Sequence, residues 1–181
     1  MKRALIWLQW VAVCAIGLTA LTLLSAHAPG RVRLLGLFAV VFGGVCGWGI
    51  GFAGHKFSMT RNGISLLIAG LLIAAAEISL TLESYRLHVG ALQTIYRDAG
   101  TEDFNGKRKP FVPDSLLKDH RENRERILEQ KSQFTAYLAH RLKRIEWTAS
   151  PWPVVFWIAE LIVGTALGTA VFYRVSKPVD S

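Results

Sequence analysis

The sequence predicts an all-α integral membrane protein with four transmembrane helices and an extramembrane helical hairpin, or stalk, between helices 3 and 4. Four apolar runs lie at residues 4–25, 33–53, 63–82 and 152–173. Each run is close to the roughly 20 residues that span a bilayer as a helix. Residues 83–150, between the last two runs, carry thirteen Lys or Arg and ten Asp or Glu. This segment cannot enter lipid, yet its apolar residues recur with a helical period.

Short connections join the first three runs, so residues 1–82 are expected to form an antiparallel bundle. Residues 25–32 hold a Pro29-Gly30 turn, and residues 54–62 begin with a glycine. Links of this length keep consecutive helices side by side. The N-terminus imitates a signal peptide, but its apolar region exceeds the roughly 7 to 15 residues typical of one. We therefore expect an uncleaved first span.

The third span is predicted to continue beyond the membrane surface as a stalk. Its apolar residues are spaced by three or four positions, which is the period of a helical seam. This stalk seam consists of Leu82, Tyr85, Val89, Leu92 and Tyr96. The helix should end near residues 98–100. A turn over residues 99–114 then follows, with Asn-Gly, a basic triplet and two prolines.

A second long helix should return from this turn. Residues 116–147 contain neither proline nor glycine, and a helix of that length would extend about 50 Å. Its apolar stripe, which includes Phe134, Leu138 and Leu142, completes the stalk seam. Ser150 and Pro151 are expected to begin the next helix. Residues 151–181 then form the fourth span and a short tail.

The net charge of +8 suggests nucleic-acid binding, but its distribution favours a membrane protein. The charged segment contributes only +3, and its aromatic residues do not alternate with basic ones as they do in single-strand binding surfaces. The other basic residues mainly flank the apolar runs, where lipid headgroups would lie. Membrane lipids are therefore expected partners, and nucleic acid is not.

The sequence shows no pattern that indicates catalysis. Zinc-protease, nucleophile-elbow and phosphate-loop motifs are missing. Four spans with a long loop before the last also describe the quinone-linked disulfide-forming membrane enzymes, but those enzymes work through loop cysteines. Both cysteines here, Cys14 and Cys46, lie inside apolar runs. We therefore predict a protein that is not an enzyme and holds neither a cofactor nor a metal.

Small residues recur on one face of two spans. Every fourth residue of span two is small, at Ala39, Gly43, Gly47 and Gly51, and span four has Gly164 and Gly168. Faces without side-chain bulk let membrane helices approach closely. Two interpretations are open. The faces pack spans two and four within one chain, or they form a glycine zipper that assembles a homo-oligomer.

Glu77 and Glu160 are the carboxylates within the spans, where an unpaired charge is costly. Counted along the helix, they lie roughly 9 Å and 12 Å from the same membrane face. They can therefore meet at one depth. A shared proton would suit proton transfer or cation binding. The alternative is a structural role in which each is protonated, hydrogen-bonded to groups such as Ser79, Thr81 and Thr165, or in contact with headgroup water.

These features together predict a membrane anchor or sensor subunit that oligomerises through its small-residue faces and docks a partner protein with its hairpin. The basic residues expected to contact a partner or lipid are Lys107, Arg108, Lys109, Arg121 and Arg124. The alternative function is a proton- or cation-conducting oligomer that uses Glu77 and Glu160. A solvated spacer is the third interpretation of the hairpin.

The orientation is not decided by charge, because six basic residues lie near the spans on each side. The charged N-terminal tail favours cytoplasmic termini, whereas a basic hairpin is more usual in the cytoplasm. We expect the bacterial inner membrane and, from the N-terminal tail, cytoplasmic termini. The side that holds residues 83–150 stays open.

Overall fold

A computed structural model of the chain describes residues 2–27, 37–57, 62–101, 123, 125–143 and 148–176. Five helices have defined bounds in these ranges: α1 Lys2–Ala26, α2 Leu37–Lys56, α3 Gly63–Thr101, α4 Phe134–Leu142 and α5 Trp152–Val175. Residues 125–131 are helical as well, and none of the described residues is in a strand. The predicted all-helical class is confirmed for this part of the chain.

Four of these helices are long and apolar enough to cross a membrane. The qualifying segments are Ala4–Ala26, Phe38–Lys56, Gly63–Ile95 and Trp152–Val175. Large apolar side chains such as Leu8, Ile16 and Leu24 point outward from them and are exposed. A continuous apolar surface of this kind is stable against lipid but promotes aggregation in water. By helix length and composition, the chain is a membrane protein with four candidate transmembrane helices.

The chain divides into two compact units. The bundle unit comprises Met1–Glu83 and Val155–Ser181, and the polar unit comprises Ser84–Val154. Helix α3 contributes its first part to the bundle unit and its second part to the polar unit, because it runs as one helix from Gly63 to Thr101. The helix predicted to continue past residue 82 therefore does so.

The core of the bundle unit is apolar and draws side chains from α1, α2, α3 and α5. Its largest fully buried side chain is Trp10, which meets Trp7 edge-on at 5.7 Å and Phe172 at 6.3 Å between ring centroids. Aromatic pairs in these geometries add about 0.5–1.5 kcal/mol beyond burial. The remaining core includes Cys14, Phe42, Cys46, Ile50, Ala69, Ile73 and Ala76.

Helix α3 begins with a reciprocal cap. The side chain Oδ1 of Asn62 accepts a hydrogen bond from the Ser65 amide at 2.8 Å, and Ser65 Oγ accepts one from the Asn62 amide at 3.1 Å. The first turn of a helix leaves such amides without intrahelical partners. Asn62 therefore fixes where α3 starts, and the predicted start at residue 63 is correct.

The polar unit packs α4 against the second part of α3 through aromatic rings. Tyr85 meets Phe134 edge-on at 5.4 Å and Tyr137 at 5.7 Å. Leu138 and Leu142 are almost fully buried. This contact brings together residues that are far apart in sequence, which gives the unit a small core of its own.

The single long helix predicted over residues 116–147 is interrupted. Residue 131 ends one helical stretch and Phe134 begins α4, with Gln133 in an extended conformation at φ −66° and ψ 142°. Ser132 Oγ donates to the Glu129 carbonyl at 2.9 Å, and Tyr85 Oη donates to the Ser132 carbonyl at 2.6 Å. Both bonds compete with the helical backbone. The prediction was wrong here because it relied on the absence of proline and glycine, and neither of these hydrogen bonds depends on such residues.

The stalk seam also differs in detail from its prediction. Leu82 is 45% exposed, whereas Tyr137, which was not in the seam, is 7% exposed. Val89 and Leu92 are half-buried, and the Tyr96 side chain lies outside the description. His88 belongs to the contact as well, since its ring lies 5.3 Å from that of Tyr137. The predicted seam was defined by apolar residues, so it did not include this histidine.

The start of α5 lies one position later than a Ser150 cap would place it. The Trp152 amide donates to the Ala149 carbonyl at 3.1 Å, and the Val154 amide donates to the Pro151 carbonyl at 3.1 Å. These bonds form a turn that leads into the helix, and the Ser150–Pro151 peptide bond in it is cis. Pro153 lies in the first helical turn, where its lack of an amide proton is tolerated.

Candidate functional site

The candidate site is the carboxylate pair of the bundle unit. Glu77 on α3 is 5% exposed and Glu160 on α5 is 9% exposed. The two side chains are close enough for their charges to interact. Carboxylates in the interior of a membrane protein are costly and mark functional sites by default. Both acidic residues that the sequence places within spans are therefore buried in the bundle unit, within the range of a charge interaction.

Hydrogen bonds connect Glu77 to α5. Thr165 Oγ1 donates to Glu77 Oε2 at 3.5 Å, and Thr81 Oγ1 donates to the Glu77 carbonyl at 3.0 Å. Trp157 Nε1 donates to Thr81 Oγ1 at 3.3 Å. These bonds form a polar chain between α3 and α5 inside an otherwise apolar bundle.

One oxygen of Glu77 is left without a partner. Oε1 is fully buried and accepts no hydrogen bond from any described residue. A buried polar atom without a partner costs about 1–3 kcal/mol, and more if it is charged. Protonation reduces this cost because a neutral carboxyl group is easier to bury than a carboxylate. Glu77 therefore has the surroundings of a proton-binding group.

Two glycines give the Glu77 carboxyl its space. A Cβ atom at Gly164 would overlap Glu77 Oε1 and would lie 3.0 Å from the Ala39 carbonyl oxygen. A Cβ atom at Gly43 would overlap the Gly164 carbonyl and would lie 2.9 Å from Glu77 Oε1. Any larger residue at either position would displace the acid or separate the helices. The carboxyl group and the glycines thus belong to one site.

The remaining small residues bring the backbones of α2 and α5 into contact. A Cβ atom at Gly47 would overlap the Gly168 carbonyl, and one at Gly168 would overlap the Gly43 carbonyl. A Cβ atom at Gly51 would lie 2.9 Å from Val175 Cβ. These contacts follow the first of the two interpretations of the small-residue faces, packing within one chain. Assembly of a homo-oligomer through them stays a prediction without a contact behind it.

Other residues singled out by the sequence lie away from this site or beyond the described ranges. Trp48 points outward from α2 and stacks on Phe52 at 5.8 Å. Cys14 and Cys46 are free and buried. The candidate contact residues of the hairpin, Lys107, Arg108, Lys109, Arg121 and Arg124, lie outside the described residues. Among the residues that are described, no three His, Cys, Asp or Glu side chains are grouped to hold a metal ion.

Sequence reasoning missed the link between the acids and the glycines. A signal for it was present on α5, where Glu160, Gly164 and Gly168 are spaced by four and therefore share one helix face. A face that packs closely on α2 through its glycines must also turn Glu160 inward. No such signal indicated the hydrogen bond from Trp157 to Thr81, because a tryptophan near the end of a span is equally typical of a lipid interface.

Comparisons with protein-family models, with curated proteins and with solved structures gave no match. The function has to be argued from the residues of this chain alone.

Proposed function

We propose that this chain is a non-enzymatic membrane protein that takes up and releases a proton at Glu77 and Glu160, and so conducts protons. The observation that carries this proposal is the buried Oε1 of Glu77, which accepts no hydrogen bond from any described residue and lies within range of the charge of Glu160. It favours the alternative function derived from the sequence over the anchor function. It does so because a buried acid can carry a proton, whereas an anchor would use it only to align its helices.

The charge state of Glu77 and Glu160 favours a shared proton. Two carboxylates in a medium of low dielectric constant repel each other strongly, and each loses its hydration. One proton shared between them removes most of both costs. The proton can then be exchanged between Glu77 and Glu160, with the hydroxyl group of Thr165 as an adjacent donor. A site of this kind suits protons better than larger cations, since the surrounding glycines leave little free space.

The direct test is proton flux in reconstituted vesicles. The purified protein is placed in liposomes that contain a pH-sensitive dye, and a potassium diffusion potential drives protons inward. We expect flux from the wild-type protein and background flux from the double variant Glu77→Gln with Glu160→Gln. Glutamine keeps the size of each side chain but cannot release a proton.

A matched control separates this effect from a general loss of charge. Glu129→Gln removes an exposed carboxylate from the polar unit and should leave flux unchanged. Wild-type protein that gives no flux above that of empty liposomes would contradict conduction. The double variant must also migrate as a monodisperse species, so that loss of flux cannot be attributed to unfolding.

Docking of a partner protein by the hairpin remains a second proposal, supported by the concentration of charge in residues 83–150. Deletion of residues 99–135 should abolish capture of a specific partner and leave proton flux intact. The Glu77 and Glu160 variants should have the opposite effect. Capture that persists after the deletion would exclude the hairpin as the docking element.

We also propose the bacterial inner membrane and, from the charged N-terminal tail, termini in the cytoplasm. Asn105→Cys places a thiol at the tip of the predicted hairpin. Labelling of this thiol by an impermeant maleimide in intact spheroplasts is expected if the termini are cytoplasmic. Protection until the membrane is permeabilised would reverse the assignment.

A further inference from the structure

The polar unit contains a cleft whose lining is basic. The cleft has a volume of about 530 Å³, within the range of roughly 300–1,000 Å³ found for small-molecule sites. Its lining includes two lysines, two histidines and a threonine: Lys131, Lys143, His88, His140 and Thr148. None of the described residues that line it is acidic. The described part of its wall is therefore basic.

The local fold explains why these residues meet. Ala136, Ala139, His140 and Lys143 follow the three- and four-residue spacing that places them on one face of α4 and its C-cap. His88 and Leu92 share one face of α3 in the same way. The interruption at Ser132 and Gln133 turns the preceding helical stretch, so that Lys131 lines the same cleft.

Two features make the cleft suitable for a ligand. The alanines at 136 and 139 leave the space open, where larger side chains on α4 would fill it. The rings of His88 and His140 lie 5.1 Å apart between centroids, so protonation of both would place like charges together. An anion between the basic groups offsets that repulsion, and Thr148 can donate a hydrogen bond to it.

We propose that this cleft binds a phosphate-bearing organic anion. Two lysines and two histidines line it, and lysine is a common phosphate ligand. Leu92 and the two alanines supply an apolar wall for the organic part of the ligand. The phosphate could come from a soluble metabolite or from a lipid headgroup, since both present the same group.

Calorimetric titration of the full-length protein in an uncharged detergent tests the proposal. Glycerol 3-phosphate should bind saturably. The double variant Lys131→Gln with Lys143→Gln should weaken binding by about tenfold or more, because each charge-assisted hydrogen bond contributes appreciably. Ala139→Leu should also weaken binding by filling the cleft while every charge is kept. Arg126→Gln removes an exposed charge from the same unit, outside the cleft, and should not change the affinity.

Several outcomes would overturn the proposal. The absence of saturable heat with glycerol 3-phosphate is one. Weakening of binding by Arg126→Gln to the same extent as by the lysine variants is another, because it would indicate general charge attraction. Binding of Zn²⁺ that is lost in His88→Gln, with no binding of glycerol 3-phosphate, would identify a two-histidine metal site instead. Unchanged circular dichroism in each variant ensures that loss of binding is not loss of fold.

A second titration identifies the source of the phosphate. Dihexanoyl phosphatidic acid that binds at least tenfold more tightly than glycerol 3-phosphate would support a lipid headgroup as the ligand. Equal affinities would support a soluble phosphate compound. Dihexanoyl phosphatidylcholine carries no net charge, and its binding with the same affinity would contradict recognition of an anion.

Discussion

The bundle unit and the polar unit differ in where they place ionisable side chains. In the bundle unit a carboxyl group is buried between helices, and glycines make room for it. In the polar unit aromatic rings and leucines fill the space between helices, and basic groups line an open cleft. Close packing of helix backbones thus accompanies a buried acid, whereas packing through large side chains leaves the charges accessible.

The comparison shows that the size of interface residues determines what a helix pair can enclose. Helices in contact through glycine backbones exclude water, so an acid between them loses hydration and becomes a candidate proton site. Helices separated by aromatic side chains keep a wider gap with access to solvent. Substitutions of the glycines in the bundle unit and of the large side chains in the polar unit test the two sides of this contrast.

Substitution of Gly47 by leucine should destabilise the bundle unit most. A Cβ atom there would overlap the Gly168 carbonyl, so the helices must separate. Overpacking by a few methylene groups already costs about 1–3 kcal/mol, and a backbone overlap costs more. We expect a large fall in the melting temperature in detergent, measured with a fluorogenic maleimide that reacts with the buried thiols of Cys14 and Cys46 on unfolding.

The same helix provides the control for this substitution. Gly49 lies two residues further along α2 and has no atom within 4 Å of a Cβ position. Gly49→Leu should therefore leave the melting temperature nearly unchanged. Equal effects of the two leucines would show that helix propensity, rather than the contact with α5, decides stability.

Truncation of Leu138 should be the most damaging change in the polar unit. This side chain is 2% exposed, and a buried Leu→Ala change costs about 2–5 kcal/mol. Hydrogen exchange of the α4 amides should accelerate by about 30-fold or more. The matched control is Leu87→Ala, at an exposed position of α3, which should have little effect.

Loss of the Tyr85 hydroxyl group should have a smaller effect. Tyr85→Phe removes the 2.6 Å hydrogen bond to the Ser132 carbonyl but keeps the ring contacts with Phe134 and Tyr137. A hydrogen bond of this type contributes about 1 kcal/mol. Exchange of the Phe134 and Tyr137 amides should accelerate by about fivefold. Unchanged exchange would mean that the helix interruption does not depend on this bond.

The smallest effect is expected at Thr165. Thr165→Val removes the donor to Glu77 Oε2, whose 3.5 Å length indicates a weak bond. The free energy of unfolding should fall by about 0.5–1 kcal/mol when this substitution is made in the wild-type protein. In the Glu77→Gln variant, where the acceptor is changed, Thr165→Val should lower the free energy of unfolding by measurably less than it does in the wild-type protein. Additive effects of the two substitutions would show that the two side chains do not interact.

The sequence was sufficient for the parts of this structure that depend on local patterns. Residues 63–101 form one helix because no proline interrupts the apolar spacing. The two acids within spans were visible as exceptions in apolar runs. The depth count that places them at one level uses only the helix rise.

Features that depend on contacts between distant residues could not be predicted. The break before α4 depends on the hydroxyl group of Tyr85, which is 47 positions away from Ser132. The basic cleft needs α3, α4 and the stretch before α4 to converge, and no spacing within one helix encodes that. The pairing of α2 with α5 within one chain also required the three-dimensional structure.

The repeat of small residues on α2 has a consequence for helix register. A shift of α5 along α2 by four residues, about 6 Å, would set Gly164 opposite Gly47 and would preserve close backbone contact. The glycines alone therefore allow more than one alignment. Glu77 removes this ambiguity, because its carboxyl group fits only where Gly43 and Gly164 face each other. A single acid thus selects one alignment among similar ones, as a lone polar residue does in a coiled coil.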